Sequence, residues 1–270
     1  MAAVTRWARF AGASGAGFGT VDGDVLTVHR GDMFSGSEPT GERLALDSLE
    51  LLVPCAPTKI IGLWNNFRAA ATKQGLGMPV EPLYFIKPPS SLLAHGGTVV
   101  RPRSYRGRIL FEGELGIVIG RTCVDVEVEG VDDVVFGYTC VNDVTALDLI
   151  EQDPSFAQWT RAKGFDTFAV IGPVIATGLD PGTLRVTTSA AGRTRQDYPV
   201  SDMILSPHEI VSLVSRDVTL VAGDVIACGT SLGAMPMRPG TPIDVAVEGI
   251  GVLTSTLGAE LAVDGRPGSG

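Results

Sequence analysis

Residues Phe111-Glu112-Gly113-Glu114-Leu115-Gly116-Ile117-Val118-Ile119-Gly120 leave this chain few choices. The right half is β-branched and glycine-rich, which predicts a buried strand. Residues two apart on a strand face the same side. Glu112 and Glu114 should then project together with only Gly113 between them. Two carboxylates that close repel unless a proton or cation lies between them. A metal ion satisfies the pair; a solvated acidic edge is the plainer reading. A second strand-like run, Val134 to Val141, leads into Asn142-Asp143-Val144-Thr145, and Asp143 is the candidate third ligand. Three carboxylates without His or Cys make a hard, all-oxygen set suited to Mg²⁺, Mn²⁺ or Ca²⁺ and not to zinc. Three ligands leave positions open for water or substrate, as a catalytic ion needs.

Glycine (34) and proline (17) are frequent among the 270 residues, so many short strands joined by tight turns are expected. Hydrophobic content of 44% against 19% charged supports a sizeable core. The formal charge of −9 with no basic patch argues against nucleic-acid binding. Cys55, Cys123, Cys140 and Cys228 show no CxxC spacing and read as buried thiols of a reducing compartment. The start carries no run long enough for a signal peptide, and no stretch of about 18 apolar residues spans a membrane. A cytoplasmic location is expected.

Residues 1–55 read as a small N-terminal domain, with a hairpin at Asp22-Gly23. The glycines at 12, 15, 17 and 19 lack the frame of a dinucleotide loop. Residues 31–42 read as polar loop and 44–52 as a short helix. The alanines after Trp64 predict a helix. Strand-like Leu83-Tyr84-Phe85-Ile86-Lys87 ends at a proline pair, with Lys87 either a surface charge or facing an anion. Residues 144–150 have helical spacing. Gln158 to Phe168 mixes polar groups with aromatics, as a site wall does. Residues 184–188 and 197–200 pair as a hairpin. Ser206-Pro207-His208-Glu209 carries a helix start with a capping box, and His208 reads as part of that cap. Gly229-Thr230-Ser231 either holds a carboxylate or is a plain turn. His29 and His95 receive no role. Residues 56–265 form the main domain and 266–270 a tail.

Together these motifs resemble the fumarylacetoacetate hydrolase superfamily. The resemblance rests on Lys59-Ile60-Ile61-Gly62-Leu63, the Phe111–Gly120 strand, Gly137 to Ala146, and Arg161-Ala162-Lys163-Gly164-Phe165-Asp166-Thr167-Phe168 with Ile171-Gly172-Pro173. Gly223-Asp224-Val225-Ile226 and Gly249 to Leu253 extend it. It implies a β-rich α+β fold, a mixed β-sandwich roll with short helices behind a small N-terminal β domain, assembled as a homodimer. It implies Mg²⁺ or Mn²⁺, with Ca²⁺ a substitute, on Glu112, Glu114 and Asp143, with Lys163 beside a metal-bound 2-oxo or 2,4-dioxo acid. Family activities include C–C hydrolysis, decarboxylation and keto–enol isomerisation.

The chain departs from the family's hydrolases where an asparagine-tyrosine pair is followed by His and Glu. Asn66-Phe67 aligns Ala70 and Lys73 with those two; a register two residues earlier aligns Arg68 and Ala71. Neither supplies a water-activating base. Leu147 stands where an arginine often follows the threonine-alanine pair. The expected enzyme therefore isomerises or decarboxylates 2-oxo or 2,4-dioxo acids through an enolate; a C–C hydrolase or a non-catalytic metal or small-molecule binder is the alternative. Lys163 balances enolate charge or shuttles a proton, its pKa lowered by the cation. Arg68 or Lys73 clamps a distal carboxylate, Thr230 and Lys87 hold the other end, and Gln158 lines the wall.

Overall fold

The computed structural model describes residues 3–12 and 15–259, so the tail expected at 266–270 lies outside the described residues. Four N-terminal strands, β1 (Thr5–Gly12), β2 (Gly15–Asp22), β3 (Val25–Asp32) and β4 (Gly36–Ala45), form successive antiparallel hairpins. The second turn is Asp22-Gly23, where Gly23 has φ +57°. β1 then pairs along Ala169–Thr177, which runs the sheet into the body of the molecule. The order continues through Val135–Asp143, Gly113–Ile119, Val225–Ala227, Ile60–Trp64 and Leu83–Lys87. The pair between Val225–Ala227 and Ile60–Trp64 is parallel and its neighbours in that order are antiparallel, so the sheet is mixed and open.

A second sheet runs Arg193–Pro199, Arg185–Ala190, Pro242–Val247, Gly251–Leu257 and Thr98–Val99. Period-two alternation distributes the large sheet's side chains between two cores. Leu115, Ile117 and Ile119 enter one and Val118 the other. Val170, Val174 and Ala176 follow the first, and Ala169, Ile171 and Ile175 the second. Every residue of Gly113–Ile119 is buried, as expected for a strand covered on both faces.

Helices are few and short: α1 (Arg68–Gln74), α2 (Trp159–Lys163) and α3 (Pro207–Asp217). The α3 start matches its sequence signature. The Ser206 hydroxyl accepts from the Glu209 amide at 3.3 Å, and the Glu209 carboxylate accepts from the Ser206 amide at 2.7 Å. The four cysteines are buried and unpaired.

Several local expectations are corrected. Residues 36–45 are strand, not loop: β4 is mostly exposed, so it shows no apolar alternation, and pairing with β3 defines it. Residues 44–52 finish β4, make one 3₁₀ turn at Leu46–Ser48 and add Leu51–Leu52 to β1. Residues 144–150 hold a two-residue strand and a 3₁₀ turn, Leu147–Leu149. α1 begins at Arg68 because the preceding strand runs through Trp64 and Asn65 turns with φ +55°. No helix among the described residues is long and apolar enough to cross a membrane.

Candidate metal centre and substrate cavity

Glu112 occupies the break between two strands, Ile109–Phe111 and Gly113–Ile119. Three neighbours hold that break. The Glu112 amide donates to the Asn142 side-chain oxygen at 3.0 Å, and its carbonyl accepts from the Asp143 amide at 2.9 Å. The Thr145 hydroxyl donates to Glu112 Oε1 at 2.9 Å. Gly113 tolerates no side chain: a Cβ there would lie 1.9 Å from Thr188 Oγ1. Its amide donates to Gln196 Oε1 at 2.9 Å, and its carbonyl accepts from the hydroxyls of Thr230 (3.0 Å) and Tyr198. The second sheet thus clamps the residue that separates the two glutamates.

Glu112, Glu114 and Asp143 each bring a carboxylate oxygen within 4.8 Å of the others. Asp143 and Glu114 are buried; Glu112 is partly open. Lys163 Nζ donates to Glu112 Oε2 and Asp143 Oδ2, both at 2.6 Å, and lies 5.0 Å from the Phe85 ring centre. Lys87 is fully buried and its ammonium bonds Asp143 Oδ1 and, at 3.3 Å, the Val144 carbonyl. Glu114 Oε2 accepts from the Gly229 amide at 2.8 Å, while its buried Oε1 has no partner among the described residues. A buried carboxylate oxygen left without a donor is costly unless a cation meets it. The donor set is all oxygen and carries more negative charge than its two lysines cancel. The residues present therefore fit a hard divalent ion.

The pKa directions follow this charge balance. Burial, then the Asp143 charge, pushes Glu114 well above the usual carboxylate range. Burial alone would raise Asp143 too, but the ammoniums of Lys163 and Lys87 outweigh it and hold it low. Burial depresses Lys87 despite Asp143. Without an ion, burial opposes the Lys163 ammonium, yet Asp143, Glu112 and Glu114 together raise its pKa; the lowering expected of Lys163 belongs to the cation-loaded site.

Glu112 and Lys163 open onto a cavity of about 210 Å³. Thr230, Ser231, Asn65 and Gln74 add polar groups; Leu63, Leu76, Leu147, Ile150 and Ala234 add apolar ones. Trp64, Phe85 and Trp159 close one side, with Phe85 stacked on Trp159 at 5.7 Å.

Among residues chosen from sequence, the structure gathers Glu112, Glu114, Asp143, Lys163, Lys87 and Thr230. Lys87 grips Asp143 from behind and does not line the cavity. Arg68 turns its guanidinium to the carbonyls of Met203 and, at 3.3 Å, Ile204, and lies outside the lining. Lys73 is exposed and also outside it; α1 presents Ala70 and Gln74 instead, one helical turn apart. Gln158 lies at the start of α2, its amide bonded to the Ile150 carbonyl at 2.9 Å, and does not line the cavity. Asn66 is buried and fully bonded, to Leu205 and Cys228, as a structural clamp. Sequence reasoning assigned no role to Asn142, Thr145, Gln196, Tyr198 or Gln74. Asn142 and Thr145 flank Asp143, the one local signal available; the others come from distant strands and α1. No histidine lines the cavity: His29 bonds Thr20 and Ser37, His95 meets the Thr254 amide, and His208 meets Asp132.

Two family models match the chain: "Fumarylacetoacetate (FAA) hydrolase C-terminal" over residues 59–258 and "Rv2993c-like, N-terminal" over residues 5–54. The chain belongs to the fumarylacetoacetate hydrolase family. It is 32% identical over 256 residues to the oxaloacetate tautomerase YisK of Bacillus subtilis, covering 88% of this chain and 84% of that one. A solved 2-hydroxyhepta-2,4-diene-1,7-dioate isomerase from Mycobacterium marinum superposes with a TM-score of 0.86 at 33% identity, over 95% of this chain and 99% of that one. A maleylpyruvate hydrolase from Sphingobium sp., solved with manganese and pyruvate, superposes with a TM-score of 0.75 at 27% identity, over 94% and 100%.

Proposed function

We propose that this protein interconverts keto and enol forms of a 2-oxo acid with Mg²⁺ or Mn²⁺ held by Glu112, Glu114 and Asp143. The observation that carries this reading is the buried, unpartnered Glu114 Oε1 facing two further carboxylates within 4.8 Å. The bound cation would supply Lewis-acid stabilisation of the negative charge that builds on the 2-oxo oxygen as a C3 proton leaves. The protein's own groups do the rest. Lys163 holds an ammonium beside that oxygen and can donate a proton to it. Lys87, buried behind Asp143, fixes that carboxylate's orientation. Loading the cation would lower the Lys163 pKa, so that its neutral amine takes the carbon-bound proton and its ammonium returns it to the oxygen, while Glu112 holds the ion from the open side. The Thr230 hydroxyl donates to the Gly113 carbonyl and accepts from Gln196 Nε2 at 2.8 Å, so it positions the site's backbone.

Tautomerisation needs no water-activating base, and the cavity's α1 wall offers Ala70 and Gln74 where a hydrolase would need one. The relatives' names support this choice, two of the three being a tautomerase and an isomerase. An ultraviolet assay over acylpyruvates, 2-oxo monoacids and oxaloacetate, with Mg²⁺, Mn²⁺ or chelator, reads enol absorbance and pyruvate release separately. Metal-dependent enol turnover without pyruvate is expected. Pyruvate released from acylpyruvates as fast as the enol disappears would establish C–C hydrolysis instead, and pyruvate from oxaloacetate alone would establish decarboxylation.

A further inference from the structure

Resting on the tautomerase reading, we propose that the site selects 2-oxo acids with an uncharged, apolar tail and disfavours a second carboxylate. Among the described residues Lys163 is the one basic residue in the cavity lining, and it already bonds two carboxylates. The nearby arginines are committed elsewhere. Arg68 binds backbone carbonyls, Arg108 pairs with Asp148 at 2.5 Å, Arg161 reaches Gln152 at 3.4 Å, and exposed Lys73 on α1 stays outside the lining. Three carboxylates and two ammoniums give the cluster one net negative charge. A divalent ion makes it singly positive, and the 1-carboxylate of one substrate neutralises that. A second carboxylate would then meet Leu63, Leu76, Leu147 and Ile150, with neutral Asn65, Gln74, Thr230 and Ser231 as polar groups in the lining and no counter-charge. Burying an unpaired charge there weakens binding sharply.

The same walls provide for an apolar tail. Trp64, Phe85 and Trp159 line the site cavity and also a second, aromatic cleft of about 430 Å³ with Pro82, Leu83 and Tyr84. Trp64 and Leu83 are 37% and 41% exposed, which leaves apolar surface open beside the site. The cleft lies against the same three aromatic side chains as the cavity, and a lengthening alkyl tail that passes between them would reach it. This selectivity differs from that suggested by the relatives' names, since oxaloacetate and a heptadiene-dioate each carry two carboxylates. Gln74 and Leu147 are the specificity-determining residues of the distal wall.

The test is calorimetric titration of the Mg²⁺-loaded protein with 2-oxohexanoate, 2-oxoadipate and 2-oxooctanoate. The first two differ only in a distal methyl against a carboxylate. 2-Oxohexanoate should bind at least about tenfold more tightly than 2-oxoadipate. 2-Oxooctanoate should gain up to about fourfold for each added methylene, with a change in Trp64 and Trp159 emission. Gln74→Arg, at an exposed helical position that keeps the fold, should recover about tenfold in 2-oxoadipate binding; Leu147→Arg should do the same. Equal or tighter binding of 2-oxoadipate by the unaltered protein overturns the charge selectivity, as does failure of all three to bind at millimolar concentration. Affinity that is flat with tail length overturns the cleft's role. Enol absorbance on the same compounds separates the two readings: selective binding without turnover sinks the tautomerase alone, and faster turnover of 2-oxoadipate sinks the selectivity alone.

Discussion

The floor of the cavity and its wall are built from different materials. The floor is sheet: Glu114 and Asp143 project from paired strands and Glu112 from the break beside them, and hydrogen bonds of 2.6–3.0 Å with Asn142, Thr145, Lys163 and Gly229 hold the three. The wall is two short helices of 7 and 5 residues and the turn at Leu147–Leu149, contributing mostly apolar contacts. Charged groups fixed on strands are hard to move without leaving a buried ion unpaired. Apolar side chains on short helices can be exchanged at lower cost. In the proposed reaction the chemistry would therefore be anchored in the floor, and choice of substrate left to the wall.

The largest effect should come from breaking the floor. Asp143→Asn should abolish Mn²⁺ binding by calorimetry and enol turnover with it. It also leaves two buried lysines short of their counter-ion, so the ion-free protein should lose about 3–5 kcal/mol in denaturant unfolding. Lys163→Met should retain the ion yet slow turnover by about 10²-fold or more, seen as a fall in kcat at unchanged Mn²⁺ affinity. Unchanged kcat would remove Lys163 from the chemistry.

Gly113→Ala probes the clamp between the sheets. Its Cβ meets Thr188 Oγ1 at 1.9 Å, so stability should fall by about 1–3 kcal/mol and the glutamates should shift. Thr188→Ala on that background removes the clashing oxygen and should restore most of the loss. No recovery in the double-mutant cycle would show that strain elsewhere dominates.

The wall should respond least. Ala70→His with Gln74→Glu places a base and a partner on the two α1 positions that face the cavity; a gain in acylpyruvate hydrolysis is expected, read as pyruvate. Asp148 anchors the Leu147 turn through Tyr105 at 2.9 Å and Arg108, and its hydrogen bonds to Arg108 depress its pKa to about 2. A depressed carboxyl pKa stabilises the fold above the unfolded value of about 4 and loses that contribution as pH falls towards 2. The group is exposed, so the effect is a few tenths of a kcal/mol. Asp148→Asn should flatten the stability profile between pH 4 and 2 by that amount, measured as thermal midpoints.

The alternation Glu112-Gly113-Glu114, the helix start at Ser206 and the hairpin at Asp22-Gly23 could be read directly, because each is encoded within a few residues by backbone geometry and local hydrogen bonding. The carboxylate cluster's third member, Asp143, was legible from the chemistry its neighbours require. What sequence could not give was direction. Arg68 and Lys73 lie on the same helix as Ala70 and Gln74, and only the docking of α1 decides which pair meets the cavity. Lys87 reads as a surface charge or as facing an anion, and only the sheet carries it behind Asp143. Thr188, Gln196 and Tyr198 lie about 75–85 residues beyond Gly113, and their contact with it exists only once the two sheets pack. The sequence by itself determined which groups can bind a hard cation and where strands and turns begin. Tertiary packing alone decided which of the basic side chains serve that cation's ligands and which never reach the substrate, because orientation and burial are properties of the packed sheets and not of any one segment.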